Sequence, residues 1–275
     1  MKLRCRNWIR CAPAHHNFSM FCALCLKKIE NTQLHAKAPK SKEHVIPFAW
    51  YPDSTPETVQ RWTVPSHEDC NGSFSGDEEY VFRKLACICD PNDEAATGIW
   101  DRALRGMQPE KGRNLRDQRS RARAFEKFMK DVRPASKASE QMLKNSLRGL
   151  TNTTLAQSLL TIDSDKLERV MTKIVKCISY WINKKPPDKS AVIKHRWLGL
   201  SQLVDEGFSY CSNGQLHDLG PGIKIKHRAI KESGVHAEEI VIFLWRSVII
   251  HAIIYWDLSH KFVYADPVLL NNLQK

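Results

Sequence analysis

Four soft donors at two short spacings constrain this chain more than any other feature: Cys22-x-x-Cys25 and, further along, His67-x-x-Cys70. Each pair has the knuckle spacing that lets two side chains converge on one ion, and together they make a closed tetrahedral set suited to structural zinc. Such a site has no open coordination position, so it staples the backbone and does no chemistry itself. A lone C-x-x-C also serves in redox pairs, but those need a thioredoxin-like βαβ pattern, and FCALCL at residues 21–26 sits in none. The nine cysteines are odd in number and scattered, unlike a secreted disulfide framework. Cys87 and Cys89 stand too close for a knuckle and read as core or solvent thiols, and His15-His16 read as bystanders in a basic arm.

The segments between and after these donors read as short elements. KEHVIP is a strand cut off by Pro47, and RWTVP is a second strand. Ser66 is a fitting N-cap for a helix that places His67 and Cys70 three apart on one face. DEEYVFRKLACI from Asp77 is a longer helix with acids at its start. Residues 95–149 read as helical with a break at Gly106 to Pro109. The clearest amphipathic helix is 164–182, with Leu167, Val170, Met171, Ile174, Val175, Ile178 and Trp181 at helical spacing and Ser164 as cap. Beyond Ala191 the texture turns to strands (GFSYC, GIKIKHRAI, EIVIFLWRSVIIHAIIYW, KFVYADP), with a short helix over Trp197 to Val204. The strands are expected to form an antiparallel sheet against the 164–182 helix.

A formal charge of +12 favours nucleic acid as partner. Arg113, Arg116, Arg119 and Arg123 recur at helical intervals, and two uses stay open: a stripe facing phosphates, or a solvated face paired with Asp117 and Glu126. The N-terminal stretch has no apolar core of a signal peptide. The apolar run Ile240 to Trp256 contains Arg246 and His251 and reads as buried strand, not as a bilayer span. A soluble, cytoplasmic protein without a membrane partner is the expectation.

Next to the soft donors lie a carboxylate, an imidazole and an amide: Glu43, His44 and Asn71. Histidine, with an unperturbed pKa of about 6.5, suits the removal of a proton from water near neutrality. Glu43 is a hard oxygen ligand for Mg²⁺ or Mn²⁺, and Asn71 either lends an amide oxygen to that cation or holds His44 in place. On a regular strand Glu43 and His44 point to opposite faces, so a twist or bulge is expected where they serve one site.

C-x-x-C, EHVIP and TVPSHEDCNGSFSGDEEY together resemble the HNH endonucleases, the ββα-metal finger nucleases, over residues 22 to about 90. The resemblance implies a one-metal nuclease acting on DNA in preference to RNA, with His44 as general base, Glu43 as the metal-binding acid and Asn71 as the central asparagine. The family's final histidine has no counterpart; Tyr80 lies near its place, with Asp77, Glu78 and Lys84 as other candidates. The long interval from Cys25 to His67 implies a loop inserted in the finger. The fold expected is α+β: a zinc-stapled ββα-metal finger in residues 1–95, then helices and the C-terminal sheet in 96–275. A defence or mobile-element nuclease, with a partner protein or a second copy engaging the C-terminal part, fits this layout. The rival is a non-catalytic zinc module that binds nucleic acid through its basic face.

Overall fold

A computed structural model describes residues 20–29, 40–134, 158–198, 213–232 and 235–256. Strands β1 (Lys40–His44) and β2 (Thr63–His67) pair antiparallel in unbroken register, from Lys40 opposite His67 to His44 opposite Thr63. No bulge interrupts them; of the twist or bulge expected, the bulge is absent. Pro47 has no N–H to continue a ladder, and the chain turns there into a short 3₁₀ segment, Phe48–Trp50. Helices α1 (Glu68–Gly72) and α2 (Ser75–Ala86) follow. His67, not Ser66, stands at the N-cap of α1. Ser66 stays extended in β2 because it pairs with Ser41, their hydroxyls 2.7 Å apart.

The expected helical stretch from 95 resolves into α3 (Ile99–Arg105), a 3₁₀ turn at Pro109–Lys111 and α4 (Leu115–Lys130). Helix then gives way to strand: β3 (Val132–Pro134) pairs with β4 (Ser158–Leu160). Residues 135–149 of that expectation lie outside the described residues. Helix α5 (Ser164–Asn183) matches the amphipathic stripe, and its Leu167, Val170, Met171, Ile174, Val175 and Ile178 are buried. Its cap is Asp163 and not Ser164, because the carboxylate accepts from the N–H groups of Asp165 (3.1 Å) and Lys166 (3.2 Å). Each such aliphatic side chain contributes roughly 1.5–3 kcal/mol by leaving water.

The C-terminal sheet has the order β5-β9-β8-β7-β6, all antiparallel: β5 (Val192–Leu198), β6 (Gln215–Asp218), β7 (Ile223–Glu232), β8 (Val235–Leu244) and β9 (Val248–Tyr255). Trp197 pairs with Ile250 inside β5, so the short helix expected from that residue is strand at 197–198; 199–204 lie outside the described residues, as do GFSYC and KFVYADP. The long apolar run is a hairpin. Trp245 and Arg246 turn it with φ of +52° and +53°, the double left-handed geometry at the centre of a three-residue loop, closed by Ser247 N–H to Leu244 O at 3.0 Å, that normally selects Gly or Asn. Trp245 is held there by burial and by donation from its indole Nε1 to the Trp50 carbonyl at 2.8 Å.

The chain is therefore α+β. One continuous core runs from Cys22 through β2, α2 and α5 to the sheet residues Ile240, Ile250 and Trp256. Trp62 of the finger lies flat on Trp181 of α5, ring centroids 3.7 Å apart. Among the described residues no helix is long and apolar enough to cross a membrane.

Candidate metal centre and adjoining cavity

The knuckle at 20–29 is a tight reversal. Cys22 N–H donates to Lys27 O and Leu26 N–H to Cys22 O, both at 2.9 Å, and Leu26 takes φ +62° to close the turn. Ala23 N–H reaches Pro65 O at 2.9 Å, which ties the knuckle to β2. This brings Cys22 and Cys25 to the point where β2 becomes α1, the point that carries His67 and Cys70. The donor atoms of Cys22, Cys25, His67 and Cys70 all lie within 4.8 Å of one another.

Their spacing fits a tetrahedral ion. Metal–sulfur and metal–nitrogen bonds of about 2.3 and 2.0–2.1 Å imply a sulfur–nitrogen edge of about 3.6 Å. The His67 Nδ1 lies 3.3 Å from Cys25 Sγ and 3.8 Å from Cys70 Sγ. Without a cation these donors cannot all ionise. Burial, together with the neighbouring Cys25 and Cys22, pushes the Cys70 thiol up to about 12. Burial also opposes ionisation of Cys22, but contacts with the backbone at Cys25, His67 and Leu24 bring that thiol below its usual value. The group could hold a structural metal such as zinc. Cys87 and Cys89 lie outside it, turned to the carbonyls of Arg83 and Ala86.

At the end of the β1–β2 ribbon is a cavity of about 250 Å³ whose walls include Glu43, His44, Phe48, Asn71, Ser75, Glu78 and Glu79. All three central residues singled out in the sequence thus share it. The cavity lies at the end of β1, where one residue facing inward and the next facing outward both reach it, which is why no bulge is needed. Glu43 is buried and His44 half-buried. Burial, reinforced by the positive charges of Arg61 and Lys173, holds the His44 imidazole below its ordinary pKa, so the ring is neutral at neutral pH. Phe48 packs edge-on against His44, centroids 5.7 Å apart, and carries the Arg61 guanidinium over its face at 4.3 Å.

Asn71 donates through Nδ2 to Ser41 Oγ at 3.1 Å, and that hydroxyl meets Ser66 Oγ. The amide is thus anchored to β1, and among the described residues it has no hydrogen bond to His44. Of the four candidates for the position of the missing family histidine, only Glu78 lines the cavity. Tyr80 faces away, accepting from Asp163 N–H at 3.0 Å; Lys84 pairs with Asp131 at 2.6 Å; Asp77 pairs with Arg169 at 2.7 Å.

Sequence reasoning missed Lys173. This residue of α5 reaches the back of the cavity wall, where its Nζ donates to Glu43 Oε1 at 2.6 Å and also to Glu78. The lysine side chain is 0% exposed, so the ammonium is wholly committed to these carboxylates. Burial alone would lower the lysine pKa, but the two carboxylates outweigh it and the direction is up. Burial raises the Glu43 pKa in turn, against the pull of Lys173. Two carboxylates facing one ammonium leave an excess of negative charge on the cavity side, and Glu43 Oε2 is buried with no hydrogen-bond partner among the described residues. A signal for Lys173 was present: it falls three residues after Val170 and four before Cys177, inside the buried stripe, where a lysine needs a carboxylate partner.

Compared with protein-family models, with curated proteins and with solved structures, the chain matches none.

Proposed function

We propose that this protein is a metal-dependent endonuclease of HNH type that hydrolyses DNA phosphodiester bonds. The observation that carries the reading is the convergence of Glu43, His44 and Asn71 on one cavity beside a Cys3His staple. The donor chemistry fits a hard divalent cation: Glu43 offers an unpartnered buried oxygen, Asn71 an amide and Glu78 a second carboxylate, all lining one cavity. Bound there, Mg²⁺ or Mn²⁺ would supply positive charge against the scissile phosphate and the departing oxygen.

The chain's own residues do the rest. His44, neutral and half-buried, accepts a proton from the water that attacks phosphorus. The phosphorus–O3′ bond breaks with its electron pair on O3′, which takes a proton from solvent water, leaving a 5′-phosphate and a 3′-hydroxyl. The Ser41–Asn71 bond fixes α1 against β1 and so sets the distance between the amide and the imidazole. Lys173 fixes the carboxylate of Glu43 from behind. The staple keeps β2 and α1 at the angle that forms the cavity, and takes no part in proton transfer.

The same Lys173 contact supports a second reading. A carboxylate already bonded to an ammonium binds a cation less readily, as expected of a non-catalytic zinc module that holds nucleic acid. Cleavage separates the two. Supercoiled plasmid with Mg²⁺ or Mn²⁺ is nicked by the wild type under the first reading, and His44→Ala slows nicking about a hundredfold or more while binding persists. Under the second reading the plasmid is bound and left intact.

A further inference from the structure

We infer that the outer face of α4 is the surface that holds the phosphate backbone of duplex nucleic acid. This rests on the nucleic-acid part of the reading above, not on catalysis. Along a helix of 3.6 residues per turn, Arg116, Arg119, Arg123, Lys127 and Lys130 fall within an arc of about 80°. All five are exposed, with Lys127 at the inner margin where its ammonium lies 5.7 Å from the Tyr80 ring of α2, and α4 buries none of its residues. From Arg116 to Lys130 the row is about 21 Å long. That length faces about six phosphates of one strand at 3.4 Å each.

The inward side of α4 is used differently. Arg121 pairs with Asp117 at 3.1 Å and donates to the Arg105 carbonyl, and Phe128 lies under the Lys84 ammonium at 4.7 Å. Asp117 is thus engaged by Arg121 on the inner side, and Glu126 flanks the edge of the basic row. A helix shaped only for its own stability would not carry Arg116 and Arg119 near its N-terminus, where the macrodipole disfavours cations. The exposed apolar residues Leu115, Phe125 and Met129 lie off the row, so the row itself is a line of charge. Helix α2 lies between this row and the cavity: Glu78 and Glu79 face the cavity, while Lys84 faces α4. Row and cavity therefore lie on opposite sides of the α2–α4 pair.

The test is the salt dependence of binding of the full chain to a fluorescent 30-base-pair duplex, without added divalent cation. Three lost phosphate contacts in Arg116→Gln/Arg119→Gln/Arg123→Gln reduce the slope of log K against log salt by about 2.7, and the corresponding triple Lys variant restores it. Circular dichroism checks folding; if the triple Gln protein does not fold, Arg119→Gln alone shifts the slope by about 0.9. An unchanged slope overturns the inference. So does wild-type binding to phosphatidylserine vesicles in place of duplex. If the slope follows the row but plasmid stays intact, the catalytic reading fails and this surface stands. If plasmid is nicked with an unchanged slope, the surface fails and the catalytic reading stands.

Discussion

Lys173 is the residue on which the most contacts of the candidate site converge. Its ammonium is enclosed with two carboxylates, and removing it leaves them facing each other in a desolvated wall. Breaking a buried pair from one side costs about 3–5 kcal/mol. Lys173→Met is therefore expected to lower the unfolding free energy measured by urea titration by that amount, and adding Glu43→Gln to recover part of it. Equal stability of wild type and Lys173→Met would show that the contact contributes nothing. His195 of β5 gives a second handle at this scale. Burial holds its pKa below the ordinary value, so the unfolded chain binds the extra proton. Stability should rise with pH up to about 6.5 and level off above it. His195→Asn should make that acid-side rise shallower in urea titrations between pH 5 and 8, the remainder coming from His44 and His217, which burial also lowers.

At the scale of elements, a metal on Cys22, Cys25, His67 and Cys70 would share with α5 the work of holding the β1–β2 ribbon. The ribbon is two strands of five residues each, too small to fold unaided. Structural zinc in such sites contributes on the order of 10 kcal/mol, comparable to the whole stability of a domain. Stripping the metal with a chelator should expose Trp50 and Trp62, both now buried, and shift their fluorescence to the red. Unchanged emission after complete metal removal would show that α5 holds the finger alone. Ile174→Ala, which empties the α5 side of the core, should cost about 2–5 kcal/mol by thermal melting. What the sequence made legible divides along the same line. The α5 stripe could be read because seven apolar residues repeat at one period. The Cys and His donors could be read because knuckle spacing is local. The β8–β9 turn could not, because Trp245 and Arg246 adopt left-handed geometry through a buried indole bond to Trp50, a contact distant in sequence. The caps went to neighbours of the expected residues for two different reasons: strand pairing keeps Ser66 extended and leaves His67 at the cap, whereas the Asp163 carboxylate takes the N–H groups of Asp165 and Lys166.

For the whole molecule, the decisive fact is that the cavity is not a property of the finger alone. Its floor is β1, its wall is α2, and the lysine that fixes two of its carboxylates comes from a helix beyond residue 160. The resemblance covers only the first part of the chain, so it named Glu43, His44 and Asn71, while Lys173 was signalled only by its place inside the buried stripe of α5. The account stands or falls on cleavage. The most direct measurement is single-turnover nicking of supercoiled plasmid with Mg²⁺ or Mn²⁺, by wild type and His44→Ala prepared with the same zinc content per chain. The account predicts nicked product with 3′-hydroxyl ends from the wild type and at least about a hundredfold slower product formation from the variant. Equal rates for the two proteins, or intact plasmid with both while binding persists, would contradict it.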